Sequence, residues 1–183
     1  MKIAILALQG AFEEHKQVLD RLGVESVLIR NLNAWQQSFD GLILPGGEST
    51  AMMRVMKDEA LMEPIQKAIC EGLPVFGTCA GMILLDDRHL GCMDITVKRN
   101  AYGRQLGSFQ RDYEVKGVGV VPMVFIRAPY IERYGDGVEV LSTLDGHVVA
   151  ACQQNMLACS FHPELTEDTS IHNYWLSIIN GKH

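Results

Sequence analysis

Residues 76–81 read Phe-Gly-Thr-Cys-Ala-Gly and place Cys79 between two glycines, directly after the apolar run 73–76. An apolar strand, then Gly-x-nucleophile-x-Gly, then a helix-forming run is the layout of a nucleophile elbow. Glycine is needed there because a Cβ would collide with neighbouring backbone in so tight a turn. The helix that follows points its N–H groups at the sulfur and stabilises the thiolate over the thiol. The segment predicts a cysteine nucleophile, with a buried structural cysteine as the alternative.

A cysteine nucleophile needs a base, and the base needs a group that orients it. The sequence Ser-Phe-His-Pro-Glu follows the last predicted strand at residues 160–164. Pro163 restricts the backbone between His162 and Glu164, so both side chains can lie at the same strand end. We expect His162 to pair with Cys79, and Glu164 to accept a hydrogen bond from the other ring nitrogen. The alternative is an ordinary histidine in a surface loop.

A third segment, Pro-Gly-Gly-Glu-Ser-Thr at residues 45–50, carries two adjacent glycines after a buried apolar run. Backbone N–H groups without neighbouring side chains can approach a ligand closely. Such a group, together with the N–H of Ala80, can form an oxyanion hole. The alternative is a plain strand-to-helix turn in which Ser49 or Thr50 is the helix N-cap.

The first half of the chain alternates predicted strands with predicted helices. Strands are predicted at residues 2–8, 24–29, 39–44 and 75–76, and helices at 12–22, 49–56 and 61–69. This alternation is typical of an α/β fold with a parallel sheet and right-handed crossovers. Ligand sites in such sheets lie at the carboxyl ends of the strands, which is where Gln9-Gly10 and the other two loops are predicted.

The second half is predicted to be mainly strands. They span residues 94–98, 118–126, 138–143, 148–152 and 156–161, and a final helix spans 170–179. Turn signals such as Asp145-Gly146 predict hairpins, and hence an antiparallel extension of the parallel sheet. The length of 183 residues predicts a single domain covering residues 1–183.

Composition excludes several function classes. The net charge of -6 and the absence of a basic stripe argue against nucleic acid and membrane partners. The apolar runs are too short to span a bilayer. The cysteine count of five is odd, and no Cys-x-x-Cys or secretory signal occurs, which predicts reduced thiols and a cytoplasmic protein. No metal-ligand spacing is present, and Cys70, Cys152 and Cys159 are predicted to pack in or near the core.

Together, the three segments resemble the class I, triad-type glutamine amidotransferases, a family with a three-layer flavodoxin-like fold. Further stretches resemble one branch, the glutaminase subunits of pyridoxal 5'-phosphate synthase. They read Leu-Gln-Gly-Ala at 8–11, Arg-Asn-Ala-Tyr-Gly-Arg-Gln at 99–105 and Phe-Ile-Arg-Ala-Pro at 125–129. The resemblance covers essentially the whole chain, and Pro-Gly-Gly-Glu-Ser-Thr with the 99–105 stretch is its most specific part.

The resemblance implies a reaction. Cys79 attacks the side-chain carboxamide of L-glutamine, and the oxyanion rests on the N–H groups of Gly47 and Ala80. His162 protonates the departing ammonia while Glu164 holds His162, and water then releases L-glutamate. The ammonia passes through a tunnel to a synthase subunit, which builds pyridoxal 5'-phosphate from a pentose phosphate and a triose phosphate. No cofactor or metal is implied for this chain.

The resemblance also implies binding residues. Those around the glutamine are Gly47, Glu48, Ser49, Arg99, Ile126 and Arg127. Two guanidinium groups suit a substrate with an α-carboxylate, which a guanidinium binds through two hydrogen bonds. Gln9 and Gly10 match the segment that contacts the synthase subunit in this family. The resemblance also implies an assembly in which glutaminase subunits surround a dodecameric synthase core. We therefore expect the oxyanion hole to assemble only on docking.

The chain departs from the family pattern after the nucleophile. Only Asp86-Asp87-Arg88 separates Leu85 from His89, where the family carries a longer helix end and loop. We therefore expect the helix after Cys79 to be about two turns or less.

Three alternatives remain open from the sequence. One is an amidotransferase of another branch, serving histidine, purine or folate-type synthesis. Another is a cysteine-dependent redox protein or deglycase of similar fold, although these usually place the histidine directly after the cysteine, where this chain has Ala80. The last is a regulatory subunit without catalysis, which the intact Cys79, His162 and Glu164 argue against.

Overall fold

A computed structural model of the protein describes residues 1–99 and 108–181. Its strands are β1 (Lys2–Leu6), β2 (Glu25–Ile29), β3 (Gly41–Leu44), β4 (Val75–Thr78), β5 (Ile95–Lys98), β6 (Ser108–Val115), β7 (Gly119–Ile126), β8 (Tyr130–Tyr134), β9 (Glu139–Leu144), β10 (His147–Gln153) and β11 (Met156–Cys159). Its helices are α1 (Phe12–Arg21), α2 (Leu32–Trp35), α3 (Ser49–Asp58), α4 (Met62–Cys70), α5 (Ala80–Leu85) and α6 (Ser170–Ile179), with a short 3-10 helix at Pro163–Leu165. None of these helices is long and apolar enough to cross a membrane.

The main sheet has nine strands in the order β2-β1-β3-β4-β11-β10-β8-β5, with β9 also paired to β10. The five neighbouring strands β2, β1, β3, β4 and β11 run parallel to one another. The pairs that β10 makes with β11, β8 and β9 are antiparallel, as is the pair of β5 with β8. The predicted α/β class and mixed sheet, with a parallel core and an antiparallel extension, are confirmed.

Side chains of the parallel strands are buried alternately on the two faces of the sheet. Ile3 and Ile5 belong to one apolar cluster, with α6 and the β6–β7 pair, whereas Ala4 and Leu6 belong to the other, with α3, α4 and α5. Because successive strand residues point to opposite faces, a strand covered on both sides must be apolar throughout. The sheet is thus the middle of three layers.

The segment predicted as a strand at 118–126 is not part of the main sheet, and that detail of the prediction is wrong. It forms β7, which pairs with β6 in a separate two-stranded sheet. The partner strand β6 was not predicted, because most of its side chains are exposed and no apolar alternation marks it. β8 was missed as well, since only Ile131 of its five residues is buried.

The prediction that Cys70 packs in the core is also wrong. Cys70 ends α4 with an exposed side chain, and its sulfur lies 3.1 Å from the sulfur of Cys92. Burial and the nearby Cys70 thiol raise the pKa of Cys92 to about 12. Cys159 is buried and Cys152 half-buried, as expected.

Candidate active site

Cys79 lies in a strained turn between β4 and α5. Its φ is 52° and its ψ -104°, which places a non-glycine residue in the left-handed region. Such strain persists where surrounding structure enforces it, often at functional sites. Here the N–H of Cys79 donates to the carbonyl of Cys159 at 2.8 Å. A Cβ on Gly77 would lie 2.6 Å from the carbonyl oxygen of Gly81, so the turn needs glycine there.

His162 and Glu164 follow the end of β11. The Nδ1 atom of His162 lies 2.6 Å from Oε1 of Glu164, and both side chains are buried. The backbone N–H of His162 donates to the carbonyl of Val124 at 2.9 Å. The strand β7, which is not part of the main sheet, therefore anchors the histidine. The imidazole packs against Gly46, where a Cβ would collide with the ring. No pattern in the sequence indicated this role of Gly46.

The electrostatic environment of His162 favours its charged form. Burial alone lowers the pKa of His162, but hydrogen bonds with the side chains of Cys79 and Glu164, and the charges of both, raise it to about 10. An imidazolium next to a cysteine and a carboxylate is the arrangement expected of a thiolate nucleophile with an oriented acid.

The glycine loop after β3 is held by the segment after β1. The N–H of Glu48 donates to Oε1 of Gln9 at 2.7 Å, and the N–H of Ala11 donates to the carbonyl of Gly46 at 2.9 Å. Gly10 has a φ of 89°, and a Cβ there would collide with the same carbonyl oxygen. Residues 9–11 therefore fix the conformation of the loop that contains Gly47.

Ser49 does not act as the N-cap of α3, which corrects that alternative. Glu48 occupies the N-cap position, and Ser49 is the first helical residue. The hydroxyl of Ser49 instead accepts a hydrogen bond from Nη2 of Arg99, and the same nitrogen lies 3.3 Å from Oγ1 of Thr50. Arg127, exposed and with a φ of 44°, lines the same pocket.

These groups surround one pocket of about 450 Å³. Of the residues predicted from the sequence, those lining it are Gln9, Gly10, Gly47, Glu48, Ser49, Cys79, Arg99, Ile126, Arg127 and His162. Glu164 lies behind His162, and Ala80 is the buried first residue of α5. Lining residues that the sequence analysis did not single out are Ala11, Ile83, Pro129 and Leu165, together with Gly46 and Thr50. Residues 100–105 of the predicted motif lie outside the described residues.

Comparison with known proteins decides the family. The model of the SNO glutamine amidotransferase family matches residues 5–180. The chain belongs to this family. It is 56% identical over 192 aligned residues to the pyridoxal 5'-phosphate synthase subunit PdxT of Streptococcus pneumoniae (strain ATCC 700669 / Spain 23F-1), covering all of both proteins. A second S. pneumoniae relative with the same subunit name, from strain 70585, matches equally well.

Solved structures agree with this assignment. The crystal structure of a glutamine amidotransferase matches with a TM-score of 0.91 and 43% identity, over 97% of this chain and 98% of that one. PurLQS from Thermotoga maritima matches with a TM-score of 0.69 over 100% of this chain and 99% of that one, but at 17% identity this likeness shows the fold alone. The predicted flavodoxin-like amidotransferase fold is confirmed, and the redox or deglycase alternative loses its support.

The helix after Cys79 is short in this amidotransferase, as predicted. α5 has six residues and ends at Leu85, and the following loop is organised by the buried carboxylate of Asp86. That carboxylate accepts hydrogen bonds from the N–H groups of Arg88 at 3.0 Å and Val97 at 3.2 Å, and lies 2.7 Å from Nδ1 of His89. A single buried acid thus supports this turn.

Three buried residues beside Cys79, His162 and Glu164 were not predicted from the sequence. His15 on α1, Thr78 at the end of β4 and His172 on α6 are all fully buried. They come from distant parts of the chain, and no short motif connects them. The sequence does show a histidine on the apolar face of α1 and another on that of α6. An ordinary core position explains such a histidine equally well.

Proposed function

We propose that the protein is the glutaminase subunit of a pyridoxal 5'-phosphate synthase, which converts L-glutamine and water to L-glutamate and ammonia and passes the ammonia to a synthase subunit. The observation that carries the proposal is the series of contacts from Cys79 through His162 to Glu164. Cys79 and His162 line one pocket, and His162 Nδ1 lies 2.6 Å from the Glu164 carboxylate behind it. The full-length similarity to PdxT supports the choice of synthase.

In the first half-reaction, the sulfur of Cys79 attacks the carboxamide carbon of glutamine. The negative charge that develops on the carboxamide oxygen is stabilised by the N–H groups of Gly47 and Ala80. Ala80 begins α5, and the N–H groups of a first helical turn lack acceptors within the helix. The proton on His162 goes to the departing nitrogen, so ammonia leaves and a glutamyl thioester remains.

In the second half-reaction, His162 accepts a proton from water, and the resulting hydroxide attacks the thioester carbon. The carbon–sulfur bond breaks and glutamate is released, with the thiolate of Cys79 restored. Glu164 keeps the ring of His162 in one orientation through both steps, because its Oε1 is hydrogen-bonded to the ring nitrogen that takes no part in transfer.

Charges around the pocket suit the α-amino acid end of the substrate. Arg99 is held over the first turn of α3 by Ser49, and Arg127 lines the same pocket. We assign the two guanidinium groups to the α-carboxylate of glutamine, and the carboxylate of Glu48 to its α-ammonium group. Ile126 packs beside the substrate's methylene groups.

Docking of the synthase subunit is proposed to control this site through Gln9 and Gly10. Gln9 holds the N–H of Glu48, the residue after Gly47, so a partner that moves Gln9 also moves the oxyanion loop. A glutaminase that is active only in the complex does not waste glutamine. By the same family resemblance, we propose a cytoplasmic, single-domain subunit that decorates a dodecameric synthase core.

The test is glutamate release from L-glutamine by the purified chain, with and without a pyridoxal 5'-phosphate synthase subunit. We expect slow release by the chain alone and a large increase with the synthase subunit. A rate unchanged by the synthase subunit would contradict the docking-controlled switch. No release in either condition, with Cys79 also unlabelled by a glutamine-mimicking electrophile, would contradict the glutaminase assignment itself.

A further inference from the structure

His15 contacts the triad from behind. Its Nε2 atom lies 3.6 Å from Oε2 of Glu164 and 3.2 Å from Oγ1 of Thr78, the residue that precedes the nucleophile. On the other side of the ring, Nδ1 lies 2.8 Å from Nε2 of His172. The side chains of His15 and Glu164 are fully buried, and the carboxylate oxygen that faces His15 has no hydrogen-bond partner within the described part of the chain.

Both histidines behind the triad are neutral. Burial, followed by the charges of His172 and His162, holds the pKa of His15 well below its usual value. Burial and the charge of Arg21 lower the pKa of His172 to about 3. Each ring therefore carries one N–H, and the 2.8 Å contact between the rings must join one donor to one acceptor.

The surroundings select one of the two possible tautomer pairs. If His15 Nδ1–H donated to His172, the lone pair on His15 Nε2 would face the carboxylate of Glu164. The N–H on Nδ1 of His172 would then be buried without an acceptor among the described residues. If His172 Nε2–H donates instead, the N–H of His15 points at Thr78 and Glu164, and only a lone pair stays unmatched. A buried donor without a partner is the rarer and more costly defect.

We propose that His15 is a positioning residue for the triad. Its Nε2–H, fixed by His172 behind it, donates to the hydroxyl of Thr78 and directs the positive end of the N–H dipole at the second carboxylate oxygen of Glu164, 3.6 Å away. This contact sets the orientation of the His162 ring. The inference rests on the proposed glutaminase function but concerns a residue outside the triad that does not touch substrate.

Two variants of similar size separate positioning from packing. In His15→Gln the amide nitrogen lies near the position of the imidazole Nε2 and still donates toward Glu164. In His15→Asn the shorter amide reaches only as far as Nδ1 and contacts His172 alone. In the complex with the synthase subunit, we expect kcat to fall about 10- to 100-fold for His15→Asn, as for other small misplacements of catalytic groups, with KM little changed. We expect His15→Gln to recover most of that loss.

The pH profile gives a readout that a purely structural role would not change. The pKa of His162, about 10, depends on its contact with Glu164. If His15→Asn releases the carboxylate, the alkaline fall of kcat/KM moves to lower pH, whereas His15→Gln leaves it in place. The titratable groups around His15 are His172, His162 and Glu164, and the first of these stays neutral throughout that range. A loss of folded protein would lower the whole profile without moving it.

Nitrogen-15 NMR of the wild-type chain, with labelled histidine, tests the tautomer without any variant. We expect His15 protonated on Nε2 and His172 protonated on Nε2. A His15 protonated on Nδ1 would overturn the proposal, as would a His15→Asn variant with wild-type kcat and an unmoved alkaline limb. Wild-type complex without glutaminase activity would instead contradict the proposed function, and the NMR result would still decide the tautomer.

Discussion

Glu164 and Asp86 are both buried carboxylates that hydrogen-bond a histidine ring, and they lie in different regions of the molecule. Glu164 Oε1 is 2.6 Å from His162 Nδ1 at the pocket, and Asp86 Oδ1 is 2.7 Å from His89 Nδ1 in the loop after α5. The exposed fraction of both carboxylate side chains is 0%. The distance to the ring and the burial of the carboxylate do not distinguish the two pairs.

The remaining partners do distinguish them. Asp86 also accepts hydrogen bonds from the backbone N–H groups of Arg88 and Val97, so its oxygens are saturated by the loop that it closes. Glu164 has no such backbone donors in the described part of the chain, and its histidine contacts Cys79. We therefore propose that the third group decides the role of each pair. Asp86 and His89 form a structural clamp on the loop after α5, whereas Glu164 and His162 belong to the proposed catalytic site.

The largest expected effect comes from removing either Cys79, which only the Glu164–His162 pair contacts, or the histidine ring of that pair. Cys79→Ala, and separately His162→Asn, should reduce glutamine hydrolysis by the complex by roughly four powers of ten or more, since triad members act as a unit. Ammonia added directly should still support synthesis by the partner subunit. Retained use of glutamine in either variant, measured as glutamate release, would refute the assigned roles.

Matched neutral substitutions compare the two acids directly. Glu164→Gln keeps an oxygen for His162 but removes the charge, and we expect kcat to fall about 10²- to 10⁴-fold. Asp86→Asn places an amide N–H against backbone donors and should cost about 1.5–3 kcal/mol of unfolding free energy.

We expect glutamine hydrolysis per folded molecule to stay within about twofold of wild type in Asp86→Asn, because that acid contacts no triad residue. Denaturant unfolding and glutamate release measure the two quantities. If Asp86→Asn lost activity as severely as Glu164→Gln at equal folded fraction, the distinction between clamp and catalytic pair would fail.

The pH dependence is the next largest effect. The pKa of His162 is raised in the folded state from 6.5 to about 10. The stabilisation by its partners is therefore complete below pH 6.5 and is lost as pH rises through about 10. We expect kcat/KM to fall as the pH rises through about 10, where His162 loses its proton. Glu164→Gln should move this fall to lower pH and Asp86→Asn should not. An alkaline limb that is the same in all three proteins would show that Glu164 does not control His162.

The smallest effect is expected at the rim of the Asp86 clamp. The guanidinium of Arg88 is 58% exposed and lies 3.6 Å from Asp86, so Arg88→Ala should lower the unfolding free energy by less than about 1 kcal/mol. Glutamine hydrolysis should not change. A loss of several kcal/mol of unfolding free energy, measured in denaturant, would mean that the guanidinium of Arg88, rather than its backbone N–H, is the main donor to Asp86.

Much of the fold could be predicted from local patterns. A parallel sheet was indicated by the continuous apolar runs of β1 and β3 and by the spacing of the helices between them. A helix of about two turns or less was also predicted after Cys79, and α5 has six residues. β6 and β8 were missed because strands with little buried surface show no alternation of apolar and polar residues. Their strand conformation depends instead on pairing with a neighbouring strand.

The family and the candidate nucleophile, base and acid could be predicted from the sequence, because Gly-x-Cys-x-Gly, Pro-Gly-Gly and His-Pro-Glu are each runs of adjacent residues. The single-domain prediction and the roles of the site residues stay predictions. The three-dimensional arrangement was needed to show that β7 anchors His162 and that Cys70 is exposed. It also decided that His15, Thr78 and His172 meet behind Glu164. These contacts join residues up to 157 positions apart, so they depend on how the layers pack and leave no local pattern.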